Sequence, residues 1–290
     1  MSPDNNIKIF DCVNFYNEHQ LFDLRYQLLK NLVDYFVVVE GMYDFNKKKK
    51  GFRFNFKKYP KKKIRYIKVE TLPKNIDFNK YSDFLEDYYR QRMYDGLYGA
   101  NPQDVVLFSC LDEIPHPDSI KKILRFNKYN RKIGICFQKM MAFNYNFKIS
   151  TESRWFNLWP GTKFFRYHSI MGIRAMTWYS QPDLRNIFNY IKYNIIFDKG
   201  YHFSWMGGKK NVIQKYAAMC KVEERFKKEQ KINVKYFKNK DLKNLLTENL
   251  DSKKDIEFIS KLFESKIKKI TPNLFYNNLF YKELKRAKLI

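Results

Sequence analysis

A chain of 290 residues with 56 Lys+Arg against 30 Asp+Glu has a formal charge of +26, yet 44% of it is hydrophobic and it holds 27 Phe, 22 Tyr and 4 Trp. Disordered chains combine high charge with few aromatics, so this composition excludes them and specifies a folded core. The length suits one large domain, or one domain with an extension, because single cores stop growing near ~250–300 residues.

No run approaches the ~18 apolar residues of a membrane-spanning helix, and Met1 to Asn6 carry neither the basic nor the apolar region of a signal peptide. The expectation is a cytoplasmic protein. Cys12, Cys110, Cys136 and Cys220 form no CxxC pair or zinc spacing and fit free thiols in a reducing compartment. The charge is densest at Lys47 to Lys50, Lys57-Lys58 and Lys61 to Lys63, around Phe52, Phe54, Phe56 and Tyr59. Basic residues among aromatics suit single-stranded nucleic acid. Against that, the chain favours Lys, Asn, Ile, Phe and Tyr throughout, as AT-rich codons dictate. Lys also exceeds Arg, whose planar fork matches phosphates and base edges. A nucleic-acid partner is therefore not expected, and the lysines fit peripheral contact with anionic membranes better.

Ile7 to Phe15 reads as a first strand. A helix follows from Asn17-Glu18, with Leu21, Leu24, Leu28, Leu29 and Leu32 at helical spacing. Asp34 to Glu40 is a buried strand, whose continuous Phe36-Val37-Val38-Val39 run fits a sheet covered on both faces. Ile64 to Val69 is a third strand, and a helix from about Tyr81 to Leu97 turns Phe84, Tyr88, Met93 and Leu97 inward. Asp104 to Ser109 is the next strand, and Pro115 and Pro117 close it and open a helix over Asp118 to Phe126. This alternation predicts an α/β fold with a mostly parallel central sheet flanked by helices, and a ligand crevice beyond the strands' carboxyl ends.

Strands at Ile133 to Met140 and Phe164 to Tyr167 extend the sheet, while Trp159 to Thr162 and Gly207-Gly208 mark loops. No GxGxxG or Walker pattern is present. Residues 1–223 form the predicted domain. Residues 224–290 form a Lys-rich helical extension packed on it, with helices at Asp241 to Leu250 and Lys253 to Ile270.

Asp112 and Glu113 stand just past an apolar strand, where their charges point into the crevice. A divalent cation held by carboxylate and phosphate oxygens is one solution, and Mn²⁺ or Mg²⁺ suits such hard ligands. A solvated turn with charge at a helix N-terminus is the other. His202 lies between Gly200 and Gly207-Gly208, residues that let backbone approach a ligand closely.

Leu107 to Ile120, LFSCLDEIPHPDSI, resembles the DxDEIP signature of glycosyltransferase family 17, the family of the bisecting N-acetylglucosaminyltransferases. Phe10-Asp11-Cys12 with Phe15, Asn17 and Glu18 is similar to the family's opening motif, and Val33 to Glu40 to its second strand. Glu86 to Arg90 with Asp95-Gly96, Pro160-Gly161-Thr162, and Gly200 to Trp205 are similar to further family segments in the same order.

The resemblance implies a GT-A-like nucleotide-diphosphosugar transferase fold over residues 1–223. It also implies a UDP-sugar donor, a glycan or glycoprotein acceptor, and inverting, metal-dependent transfer of a sugar such as N-acetylglucosamine. Under it Asp112 is the second Asp of the metal-binding motif, and Cys110 stands where the first would be. His202 completes the metal shell or contacts the diphosphate, and Glu113 assists the metal. Arg90 contacts the donor or supports the acidic loop, and Glu40 contributes to the donor pocket. Inversion needs a carboxylate base near the acceptor hydroxyl. Asp183, Asp198, Glu223 and Glu224 are the candidates, while Trp155, Trp159, Trp178 and Trp205 either stack on sugar rings or fill the core. Cys110 also leaves open an inactive sugar- or nucleotide-binding protein, and the net charge a nucleic-acid-binding one.

Overall fold

The computed structural model of the chain describes residues 7–45, 47–72, 84–125, 133–142, 145, 147–150, 158–169, 193–204, 206, 266–269, 273 and 277–288. Its N-terminal half is built on four parallel strands, β1 (Ile9–Asn14), β2 (Tyr35–Gly41), β3 (Ile64–Val69) and β4 (Val105–Cys110), side by side in the order β3-β2-β1-β4. Their registers set Cys12 opposite both Val37 and Phe108. The crossovers carry α1 (His19–Leu29), between β1 and β2, and α2 (Phe84–Gln91), between β3 and β4.

Period-2 alternation sorts the strand side chains onto two faces. Ile9, Val13, Phe36, Val38, Val105 and Leu107 join α1 in one buried cluster. Phe10, Cys12, Val37, Val39, Val106 and Phe108 join Leu85, Tyr89 and Met93 in the other. Phe36 to Val39 are at most 1% exposed, and burying such side chains stabilises the fold by roughly 1.5–3 kcal/mol each.

β4 ends in a tight corner followed by the two-residue β5 (Glu113–Ile114) and α3 (Pro117–Arg125). Pro117 fills the first helical position, where a missing N–H costs nothing, and His116 Nδ1 accepts the Asp118 N–H at 3.1 Å. The remaining strands are β6 (Gly134–Ala142), β7 (Phe147–Ser150), β8 (Trp159–Arg166), β9 (Asn194–Ser204) and β10 (Lys266–Lys269). They extend the sheet beyond β4 in the order β4-β8-β6-β7-β10. This half is antiparallel apart from the β6–β9 pair, so parallel pairing is concentrated around β1.

Three expectations change in detail, and one strand is added. The helix predicted to reach Leu97 is α-helical to Gln91 and tightens to a 3₁₀ turn over Arg92–Leu97, because Gly96 lies directly on β2: a Cβ there would stand 2.2 Å from Val37 Cγ1. Trp159 to Thr162 is the start of β8 rather than a loop, and Pro160 is accommodated beside a register shift in β6. β9, which carries His202, is a strand in a segment to which the sequence pattern assigns no element. Lys266–Lys269 is a strand paired antiparallel with β7, not the end of a helix, so edge pairing overrides local helical spacing.

The chain ends in α4 (Asn278–Arg286), which lies beyond both helices predicted for the extension. Asn277 caps it, accepting the Phe280 N–H at 3.2 Å. Phe280, fully buried, packs against Tyr201 and Phe203, so this part of the extension shares the core of the sheet. The helices predicted at Asp241 to Leu250 and over Lys253 to Ser265 lie outside the described residues. No helix among the described residues is long and apolar enough to cross a membrane.

Candidate active site

The corner after β4 is held from beneath by a buried ion pair. Asp11 interrupts the apolar β1 on the α1 face, and Arg25 reaches it from α1 with Nε and Nη2 at 2.7 and 2.5 Å. Both side chains are fully buried. The same guanidinium donates to the carbonyls of Cys110, Leu111 and Glu113 at 3.3, 3.3 and 2.9 Å, and to Ser109 Oγ at 2.8 Å. One cation therefore satisfies the carbonyls of a turn that leaves the sheet, and fixes the path of Asp112.

On the outer side of that turn Asp112 meets His202. β5 and β9 pair antiparallel with Glu113 opposite His202, and Phe203 N donates to Asp112 O at 2.8 Å. Gly200 makes the approach possible: a Cβ there would lie 2.3 Å from Ile114 O and 2.8 Å from His116 N. The result sets His202 Nε2 3.6 Å from Asp112 Oδ1, with both residues 6% exposed. That separation is too long for a hydrogen bond and close enough for both atoms to face one ion. His202 Nδ1 is buried without a hydrogen-bond partner among the described residues, and the ring lies 4.7 Å from that of Trp159.

Glu113 has a different task. Its carboxylate accepts the Cys110 N–H at 2.9 Å and Trp159 Nε1–H at 2.6 Å, bracing the corner against β8. Cys110 faces α2, where Arg90 donates to its Sγ at 3.2 Å and to Glu86 at 2.5 Å. Burial, reinforced by Glu113, pushes the Cys110 thiol well up, so it stays protonated at neutral pH. Lys163 of β8 lies on the same face, 6% exposed, and burial lowers its pKa to about 8 against the pull of Glu113.

A carboxylate and an imidazole at the carboxyl end of a parallel half-sheet, over a turn clamped by a buried arginine, are reached by the same segments that match a family model. That model, Glycosyltransferase family 17, matches residues 2–282. The chain belongs to glycosyltransferase family 17. No curated protein matches it. Among solved structures it is similar to a glycosyltransferase involved in the glycosylation of the major capsid of PBCV-1, with 8% identity and a TM-score of 0.30, covering 66% of this chain and 81% of that one.

Within this candidate site the sequence candidates separate. Asp112, His202, Glu113, Cys110 and Arg90 converge on the corner after β4. Glu40 does not join them: its buried carboxylate accepts from Lys50 Nζ, Arg53 N, Phe54 N and Tyr66 Oη at 2.6–3.0 Å, which pins the Lys-rich loop after β2. Asp198, proposed as a base, is 6% exposed and accepts from Ser119 Oγ at 2.5 Å, Gln138 Nε2 at 3.0 Å and His116 N at 3.1 Å. Burial raises its pKa, but these bonds commit the carboxylate to joining α3, β6 and β9. Asp183, Glu223, Glu224, Trp155, Trp178 and Trp205 lie outside the described residues.

Among the described residues no three His, Cys, Asp or Glu side chains converge for a metal. Asp112 and His202 together make half a shell, a donor set that fits an ion whose remaining ligands are phosphate oxygens and water. Three residues of the site escape sequence reasoning: Arg25, Lys163 and the packing role of Trp159. For the first two a signal exists, a charge embedded in an apolar run that the fold must neutralise.

Proposed function

We propose that the chain transfers a sugar, N-acetylglucosamine foremost, from a UDP-sugar to a hydroxyl of a glycan or glycoprotein, with inversion at the anomeric carbon. The observation that carries this reading is the juxtaposition of Asp112 and His202, ninety residues apart in sequence, at the carboxyl end of β4. Mn²⁺ or Mg²⁺ would be held by these two side chains and by the donor diphosphate, and supplies charge neutralisation of the leaving group. Arg25 keeps the Asp112 turn in place, and Trp159 with Glu113 fixes the wall against which the His202 ring rests. Because the hydrogen bonds of Asp198 leave it no free role, the base for the acceptor hydroxyl falls to Asp183, Glu223 or Glu224.

The test is hydrolysis of UDP-, GDP- and CDP-sugars with added Mn²⁺. Turnover of a UDP-sugar is expected, with Asp112→Ala abolishing it and His202→Ala weakening the Mn²⁺ dependence. The protonated Cys110 thiol favours a second reading, a binder that holds the donor without turning it over. Tight UDP binding with no turnover by either the natural chain or Cys110→Asp would establish that reading and sink the first. The exposed lysines 47–49, 57, 58, 61 and 62 support peripheral contact with anionic membranes that present the acceptor. Failure to sediment with phosphatidylserine vesicles would remove that contact.

A further inference from the structure

Lys163 is a buried charge that the donor reading leaves without a use. It stands on β8 opposite Phe108, two residues before Cys110 on the neighbouring strand. Among the described residues its ammonium has no hydrogen-bond or ion-pair partner, and its Nζ lies 5.8 Å from the centroid of the Phe108 ring. Interior ammonium groups are otherwise found paired, because the desolvation they suffer costs several kcal/mol.

The surroundings do not supply the missing anion. Glu113 is the carboxylate that acts on Lys163, and both of its oxygens already accept, one from Cys110 N and one from Trp159 Nε1. From the opposite side Arg90, 5% exposed, donates to the Cys110 sulfur. Two buried cations, Lys163 and Arg90, thus act on a neutral thiol at the end of β4. A fixed positive charge on a strand, with little room to relax, suits a ligand oxygen that carries negative charge.

We infer that Lys163 is a further donor-binding residue, forming with Arg90 an anion subsite on the Cys110 side of the crevice that takes a phosphate oxygen of the nucleotide diphosphate. This rests on the donor reading above. It gives the site two sources of positive charge, one fixed in the protein and one brought by an ion at Asp112 and His202. A thiol at position 110 then favours binding, since a carboxylate there would compete with the phosphate for both cations.

Calorimetric titration of the full chain with UDP, inorganic pyrophosphate and uridine tests the inference, using the natural protein, Lys163→Met, Lys163→Gln and Lys163→Arg. Removing the charge in either neutral variant is expected to weaken UDP and pyrophosphate about tenfold or more, the loss of one charge-assisted contact, while uridine binds unchanged. Lys163→Arg is expected to restore most of the affinity. Neutral variants that bind pyrophosphate and UDP as tightly as the natural chain overturn the inference and leave the donor reading intact. A natural chain that binds neither UDP, GDP nor CDP overturns the donor reading, and this subsite with it.

Discussion

Replacing Lys163 with methionine keeps an unbranched side chain one atom shorter and deletes its charge, so it reads chiefly what burying that ammonium costs. In the unfolded chain the group titrates near 10.5, and in the folded protein at about 8, lowered first by burial and also by Arg90, with Glu113 and Cys110 opposing. At ~1.36 kcal/mol per pH unit, the difference corresponds to about 3 kcal/mol. The sign follows from proton binding. Between about pH 8 and 10.5 the unfolded chain holds more protons than the folded one, so stability rises with pH across that window. Below pH 8 both states are protonated and the full cost is present. Lys163→Met is therefore expected to be more stable than the natural chain by about 3 kcal/mol at pH 7, and the gap should close as pH approaches 10.5. Urea midpoints of the two proteins at pH 7, 8.5 and 10 measure this, and their difference cancels the titration of every other group. A variant less stable at pH 7, or a gap that does not change with pH, would refute the reasoning. Greater stability together with weaker diphosphate binding is the pattern of a residue retained for its ligand rather than for the fold.

Arg25→Ala leaves Asp11 buried without its partner and frees the carbonyls of the Asp112 turn, an expected loss of about 3–5 kcal/mol read from urea unfolding. Asp11 and Arg25 changed together to apolar residues should recover much of that stability without recovering turnover, because the turn stays unclamped. Gly200→Ala drives a Cβ to within 2.3 Å of the Ile114 carbonyl and should cost about 1–3 kcal/mol, with a parallel fall in Mn²⁺-dependent turnover as His202 moves from Asp112. Glu40→Gln weakens its bond to Lys50 and is expected to cost about 1–3 kcal/mol and to speed tryptic cleavage at Lys47 to Lys50, with UDP affinity unchanged.

The parallel half of the sheet was legible because its signals are local. The four-residue apolar run of β2, the leucine spacing of α1 and the prolines around α3 each decide an element within about ten residues. β9 was not legible in the same way. Asn194–Ser204 alternates buried and exposed positions over its first half, but Asp198, Lys199 and Gly200 break the apolar pattern at the point where the strand meets the β5 corner. Those residues are explained by partners distant in sequence: Asp198 by Ser119 and Gln138, Gly200 by the Ile114 carbonyl. Glu40 and Asp198 look like site residues in the sequence for a related reason. A carboxylate at a strand end signals a buried obligation, and sequence does not say whether a ligand or the protein's own N–H groups will meet it.

The same distinction resolves the charge. Most lysines of the Lys47 to Lys63 segment are exposed, and they add to the net charge without shaping a site. The cations that shape one are interior: Arg25 under the Asp112 turn, Arg90 and Lys163 beside Cys110, and Lys50 on Glu40. Each is costly to bury alone, so each identifies an anion, and for three of them the protein supplies it as Asp11, Glu86 or Glu40. Lys163 is the fourth, and its anion has to come from outside the described residues. A charge count over the chain cannot separate these cases, whereas a cation buried in a strand, as Lys163 is before Phe164-Phe165, marks the position where the count matters.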